Sequence, residues 1–188
     1  MPKPEIAQKD VHTLVAGYRT LPGVPDEMLD ADGQIRPLWR GFVGHLEALG
    51  RLLPKVRGFV QILVVGDDLG MQSGPQMSRQ MYRELFLPRH RRIYQYAREQ
   101  SGAHIFLHCC GGVYPLIPDL IDAGVEILNP VQTTARNMEP ERLKREFGRD
   151  LTFWGGGCDT QHVLASGTPQ EVRDDVQRRL EIFMPGGG

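Results

Sequence analysis

The sequence has 188 residues, of which 40% are hydrophobic and 24% are charged, and its formal net charge is −1. This composition is typical of a soluble globular protein, and the near-neutral charge gives no reason to expect a nucleic acid or an anionic membrane surface as a partner. No apolar stretch approaches the ~20 residues of a membrane span, and the first residues lack the apolar core of a signal peptide. Three cysteines, two of them adjacent, make a poor disulfide framework, so we expect a cytoplasmic protein.

The first 50 residues differ in texture from the rest. Turn-forming residues dominate up to Gly33, and a helical pattern then runs from about Leu38 to Leu49 and stops at Gly50. This helix carries one stripe of residues at helical spacing, namely Leu38, Phe42, His45, Leu46 and Leu49. The sequence therefore predicts an N-terminal segment at 1–50, composed of loops and one helix, followed by a domain at 51–188.

From Gly58 onward, four strand-like runs alternate with four helical patterns. The predicted strands are Phe59–Val65, Ala103–His108, Val125–Leu128 and Leu151–Trp154. The predicted helices run from about Ser78 to near Gln100 with a kink at Pro88, from about Pro115 to Asp122, over Pro140–Phe147, and from a capping box that begins at Thr168.

Such alternation indicates an α/β fold of parallel (β/α) units. Four units make half of a (β/α)8 TIM-type barrel, and the candidate reactive residues follow strands, where barrel enzymes carry their sites. An open doubly wound sheet is the alternative, but no Gly-x-Gly-x-x-Gly fingerprint follows any strand.

The side chains best suited to bind a metal or to react are those of His108, Cys110 and Cys158. Side chains alternate along a strand, so His108 and Cys110 point the same way while Cys109 points away and is expected to pack. Cys158 follows the fourth strand, and one imidazole with two thiolates can form a zinc site with one open position. On spacing alone, the other interpretation is that the cysteines are small buried hydrophobes.

Polar side chains follow the other strands. Asp67 and Asp68 could act as general acid or base or bind substrate, or could belong to a solvated turn. Asn129 and Gln132 offer neutral amides to a polar substrate, or form a plain turn. Asp159 could orient a metal ligand or cap the following helix.

Several motifs in order give the region from about Arg51 to Gly188 a resemblance to the uroporphyrinogen decarboxylase superfamily. They are Gly66–Gln72, Leu87-Pro88, His108–Gly111, Ile117–Gly124, Leu128–Gln132 and Gly155–Asp159. The resemblance implies a (β/α)8 barrel, of which this chain would form the C-terminal half. It also implies that Asp67 and Asp68 are catalytic and that Gln72, Asn129, Gln132 and Asp159 bind substrate.

Two branches of the superfamily lead to different expectations. Methylcobamide:thiol methyltransferases hold zinc with a His-x-Cys pair and a later Cys, and His108, Cys110 and Cys158 fall on those positions. This branch implies zinc-assisted methyl transfer from a corrinoid, free or on a corrinoid protein, to a small thiol. True uroporphyrinogen decarboxylases act on a tetrapyrrole in porphyrin biosynthesis without metal. Nothing in residues 1–50 resembles their Arg-rich segment, so decarboxylation is the alternative function.

A third hypothesis is an inactive barrel fragment. Residues 18–24 and 26–33 resemble the opening of circularly permuted ATP-grasp proteins without covering a nucleotide site, and the chain stops where relatives continue into a final strand. Half a barrel leaves two strand edges unpaired, so the chain could also form a homodimer that completes the barrel.

Overall fold

A computed structural model describes Asp26 and residues 28–187. The chain divides into two compact units, one ending at Arg57 and one beginning at Gly58. The boundary expected near residue 50 stays a prediction. Of the two stretches that resemble ATP-grasp proteins, residues 18–24 lie outside the described part of the chain.

The described part of the first unit contains one long helix. Leu29 and Ile35 pair in an antiparallel bridge, and the helix Pro37–Leu52 and a 3-10 turn at Leu53–Val56 follow. The predicted helix is therefore present and slightly longer than expected. Its apolar stripe is exposed rather than buried: Leu38 retains 88% of its accessible surface, while the neighbouring face buries Val43.

The second unit is built on a four-stranded sheet. Together with a separate two-stranded hairpin, its strands are β1 Ile62–Gly66, β2 Gly70–Met71, β3 Gly74–Pro75, β4 His104–His108, β5 Ile127–Asn129 and β6 Thr152–Phe153. β1, β4, β5 and β6 are parallel and lie side by side in chain order, and β2 and β3 form a small antiparallel hairpin. A doubly wound sheet would reverse its strand order midway, whereas consecutive parallel neighbours are the arrangement of a barrel. The predicted α/β fold, a partial barrel, is confirmed.

Helices connect the strands of the sheet. Their segments are Arg79–Met81, a π-helical turn Tyr82–Phe86, Leu87–Ser101, a 3-10 turn Tyr114–Leu116, Ile117–Ala123, Pro140–Phe147, Val163–Ser166 and Pro169–Phe183. The π-helical turn ends two residues before Pro88, which lacks the N–H that a regular helix would need there. No helix within residues 28–187 combines the length and the apolar character needed to cross a bilayer.

Strand alternation separates a covered from an uncovered face of the sheet. Ile105 and Leu107 of β4 are fully buried, and Phe153 of β6 packs against Phe183 of the last helix with 5.4 Å between ring centroids. On the opposite face, Val64 retains 63% and Trp154 54% of their accessible surface. This second face is the one that would line the interior of a barrel.

A buried carboxylate ties three of the helical segments together. Asp119 accepts hydrogen bonds from Arg79 Nε at 2.5 Å and from Arg83 Nε at 2.7 Å. Burial would raise the pKa of Asp119, but the two arginines outweigh it and lower that pKa below its usual range.

Candidate metal centre

The candidate site lies at the carboxyl ends of β1, β4 and β5. In the parallel register, Gly66, His108 and Asn129 stand side by side as the last residues of these strands. Loops that leave the strands here carry the remaining polar side chains, as in barrel enzymes.

Three ligand-type side chains converge at this edge. Asp68, His108 and Cys110 each offer one ligand atom, and these atoms all lie within 4.8 Å of one another. His108 Nε2 is 3.6 Å from Cys110 Sγ. Imidazole nitrogen, thiolate sulfur and carboxylate oxygen are all donors that zinc accepts in proteins.

The two adjacent carboxylates predicted as catalytic have different surroundings. Asp68 accepts a hydrogen bond from the Cys110 backbone N–H at 2.8 Å and lies in the three-residue cluster. Asp67 Oδ2 is 3.1 Å from His90 Nε2, and His90 Nδ1 is 3.0 Å from the buried Tyr82 hydroxyl. With its proton on Nε2, His90 donates to Asp67 and accepts from Tyr82.

His90 and Tyr82 were not expected from the sequence as partners of a strand-end carboxylate. Burial lowers the pKa of His90 although Asp67 opposes the shift, which favours the neutral ring. Neither residue lies in a sequence motif typical of a functional site, since histidine and tyrosine are common within helices. Only the tertiary contact reveals the pair.

Asn129 orients the imidazole of His108. Its Oδ1 is 2.6 Å from His108 Nδ1, and its Nδ2 donates to the Trp154 carbonyl at 2.7 Å. When His108 Nδ1–H donates to Asn129, the Nε2 lone pair is free and lies on the side of Cys110. This is the arrangement by which outer-sphere groups fix a metal-binding histidine.

The two neighbouring cysteines differ as the strand alternation predicts. Cys109 is buried, its sulfur accepts the Leu69 N–H at 3.3 Å, and burial raises its thiol pKa to about 11. The pKa of the Cys110 thiol is also raised, first by burial and then by the charge of Asp68. A bound cation would act against both causes at Cys110.

The loop after Cys110 presses against the β2–β3 hairpin. Gly112 N–H donates to the Met71 carbonyl at 2.8 Å. Gly111 has φ +83°, and a Cβ on it would stand 2.5 Å from the carbonyl carbon of Gly70. Only glycine fits this contact, so the His108–Gly111 motif includes its last residue for backbone reasons.

The third predicted ligand lies outside the three-residue cluster. Cys158 follows β6 on the loop Gly155–Gly157, and its Sγ is 3.8 Å from the Asp159 carbonyl oxygen. Its thiol pKa is raised by burial and by a hydrogen bond to Asp175. The structure thus brings together two of the three predicted ligands and adds Asp68, while ligation by Cys158 stays a prediction.

Asp159 bonds to the turn that precedes the short helix Val163–Ser166, and that helix has no side-chain cap. Its Oδ1 accepts the backbone N–H groups of Gln161 and His162, each at 2.9 Å, and its Oδ2 is 3.1 Å from His162 Nδ1. These bonds lower its pKa. A direct role in binding substrate stays a prediction.

Neutral amides form a second cluster beside the metal ligands. Gln72 Oε1 accepts from Gln132 Nε2 at 2.7 Å and from Gln161 Nε2 at 3.3 Å. Gln132 Oε1 in turn accepts the Gly111 N–H at 3.0 Å. Gln72 and Gln132 are therefore together, as the substrate-binding prediction requires. Gln161 joins them without any signal in the sequence beyond its place after Cys158.

A parallel sheet in chain order, with ligand-type side chains at its carboxyl edge, defines a partial barrel of (β/α) units. The family model described as Uroporphyrinogen decarboxylase (URO-D) matches residues 56–188, and the chain belongs to this family. A solved methyltransferase from Methanosarcina mazei is similar in structure, with a TM-score of 0.50 and 20% sequence identity. That match covers 64% of this chain and 33% of the methyltransferase, so the chain spans about a third of the other protein's length. No curated protein matches the chain.

Proposed function

We propose that this chain carries a zinc site for methyl transfer from a corrinoid to a thiol. The observation that carries the proposal is the convergence of His108, Cys110 and Asp68, with 3.6 Å between His108 Nε2 and Cys110 Sγ. The fold likeness to a methyltransferase supports the same branch of the family.

The donor set fits zinc in chemistry and in spacing. Zinc binds imidazole nitrogen at about 2.0–2.1 Å and thiolate at about 2.3 Å, so two such ligands at a tetrahedral angle stand about 3.6 Å apart. The nitrogen–sulfur distance in the structure has this value. His108, Cys110 and Asp68 would hold the metal, with Cys158 as the further predicted ligand. Because thiolate ligands must stay reduced, we also propose a cytoplasmic location.

Bound zinc would lower the pKa of an incoming thiol, so that the thiolate forms near neutral pH. That thiolate would attack the methyl carbon of a methylated corrinoid, and the electron pair of the broken cobalt–carbon bond would leave with the corrinoid in its cob(I) form. The proton of the thiol leaves to solvent. In this scheme Asn129 keeps the His108 ring in place, and Gln72 and Gln132 bind the polar part of the substrate.

The metal step is tested by titration with Co²⁺, whose absorption reports thiolate ligation. The parent chain should bind one equivalent with a sulfur-to-cobalt charge-transfer band. Cys110→Ser should weaken the band, and Cys110→Ser combined with Cys158→Ser should lose it. Cys109→Ser is the matched control because its sulfur packs away from the cluster. Failure of the parent chain to bind would refute the zinc site. The methyl step is then tested by the spectral change of methylcobalamin to its cob(I) form in the presence of a thiol.

Decarboxylation of a porphyrinogen is the second candidate, because the matching family model is the one described as Uroporphyrinogen decarboxylase. This reaction would proceed after metal removal, with Asp67 or Asp68 as the proton donor. Chromatography of the products from uroporphyrinogen, with and without a chelator, separates the two functions. Chelator-resistant loss of carboxyl groups would favour decarboxylation.

A further inference from the structure

A buried arginine lies outside the predicted site residues. Arg179, on the helix Pro169–Phe183, retains only 4% of its accessible surface. Arginine is almost never buried at this level unless its guanidinium is fully engaged by partners. Its hydrogen-bond partners therefore indicate which segments of the chain this side chain connects.

The guanidinium of Arg179 joins the last helix to two strand-end loops. Its Nε donates to Asp175 Oδ2 at 2.9 Å on the same helix. Its Nη1 donates to Thr133 Oγ1 at 2.6 Å, after β5, and to the Gly156 carbonyl at 3.2 Å, after β6. One side chain thus links the loops that leave two neighbouring strands.

Asp175 holds the same β6 loop at a second point. Its Oδ2 accepts the backbone N–H of Asp159 at 2.8 Å. The same Oδ2 atom therefore accepts from both Arg179 Nε and the loop backbone. The loop is consequently fixed at Gly156 and at Asp159, the two sides of Cys158.

The loop needs such ties because of its composition. Gly155, Gly156 and Gly157 are consecutive, and glycine loses more backbone freedom on ordering than any other residue. Side-chain packing within the loop cannot supply the order, since these residues have no side chains. The Arg179–Asp175 ion pair on the last helix supplies hydrogen bonds to the loop instead.

We infer that Arg179, together with Asp175, is a positioning residue that fixes the β6 loop and with it the position of Cys158, the further ligand in the proposed metal site. Buried ion pairs are weak evidence for stability by themselves, and apolar replacements of similar volume are often tolerated. Here the hydrogen bonds go to the strand-end loops, which makes placement of the loop the role that fits. The metal part of this inference rests on the proposed function, whereas the loop part does not.

The first test measures the loop alone, in the metal-free full-length chain. Arg179→Met replaces the guanidinium with an unbranched apolar side chain and so removes all three hydrogen bonds. We expect iodoacetamide to alkylate Cys158 about fivefold faster, as for a segment that loses local protection, with Cys110 unchanged. The rates are compared at the high-pH plateau, where the thiol is fully ionised, because loss of the Arg179 charge also changes the Cys158 pKa. Mass spectrometry after digestion assigns the rate to each cysteine. Arg173→Met, an exposed position on the same helix, is the matched control.

A milder variant keeps the test valid if Arg179→Met does not fold. Thr133→Val removes only the hydrogen bond from Arg179 Nη1 to Thr133 Oγ1. It should raise the alkylation rate of Cys158 about twofold for the same reason. Unchanged Cys158 reactivity in both variants would overturn the inference. An equal rise at Cys110 would also overturn it, because that result would mean general loosening of the unit.

The second test asks whether the loop position matters to the metal. Arg179→Met should weaken Co²⁺ binding roughly tenfold, as the loss of an outer-sphere group does. In a Cys158→Ser background the same substitution should have no further effect, since its action would pass through Cys158. An undiminished effect in that background would refute the route through Cys158. If no variant and no parent chain binds Co²⁺, the proposed function fails, while the alkylation result still decides the role of Arg179.

Discussion

The hydrogen bond from His108 to Asn129 gives a quantitative prediction for the candidate metal centre. Asn129→Ala removes the acceptor at 2.6 Å from His108 Nδ1 and frees the imidazole to rotate and to change tautomer. The ring carries one of the three clustered ligand atoms. Metal affinity should therefore fall although no ligand is deleted.

The size of the effect follows from two contributions. The hydrogen bond itself contributes about 0.5–1.5 kcal/mol. Loss of ring orientation adds to it, and removal of outer-sphere partners of this kind typically weakens metal binding by about 10- to 100-fold. We expect the upper half of this range because Asn129 is itself fixed by its bond to the Trp154 carbonyl, so the native acceptor is well ordered. A tenfold change corresponds to about 1.4 kcal/mol.

Competition of the chain with a chromophoric chelator for Zn²⁺ measures the change directly. Asn129→Asp is the control: it keeps the oxygen acceptor for His108 but loses the donor to Trp154. If orientation of the histidine is the cause, Asp at this position should retain most of the affinity that Ala loses. Equal zinc affinity in the parent chain and in Asn129→Ala would refute the reasoning, provided that both have the same melting temperature.

The remaining predictions concern stability and are measured by urea unfolding. Asp119→Asn should cost about 2 kcal/mol at pH 7, because two charge-assisted hydrogen bonds to a buried carboxylate weaken. Since the folded-state pKa of Asp119 lies below its unfolded value, this stabilisation is present above about pH 4 and disappears as the pH falls through the folded pKa, where parent and variant should converge. Gly155→Ala should cost about 3 kcal/mol or prevent folding, because φ is +142° and a Cβ would lie 1.9 Å from the Pro130 carbonyl oxygen. Thr168→Ala removes one half of the capping box with Glu171 and should cost about 1 kcal/mol. A parent-like midpoint in any of these variants would contradict the contact on which its prediction rests.

Local signals in the sequence predicted the helices well. The helix Pro140–Phe147 has the expected bounds, and Thr168 caps the last helix through the predicted box with Glu171. Gly102 ends its helix in the left-handed conformation. Caps, prolines and terminal glycines act over three or four residues, so the sequence alone contains the information that they need.

Long-range contacts could not be predicted in the same way. The hairpin Gly70–Pro75 exists because the loop after β4 gives it a surface to pack against, and no apolar alternation marks it. Pairing of Asp67 with His90 and the convergence of Gln161 on Gln72 depend on which elements become neighbours. The hydrogen bond that joins the β6 loop to the last helix comes from Arg179, which no local sequence pattern marks.

The register of β1 and β4 explains why two adjacent residues of the same type have different surroundings at this site. Gly66 and His108 end paired strands, and beyond them the chain continues with two aspartates in one loop and two cysteines in the other. In each loop the first residue of the pair, Asp67 or Cys109, lies among the helical layer, and the second, Asp68 or Cys110, joins the metal cluster. Because side chains change face at every residue, a shift of one position between β1 and β4 would separate Asp68 from Cys110. The chemistry of the cluster therefore depends on the register of β1 and β4 as much as on its ligands.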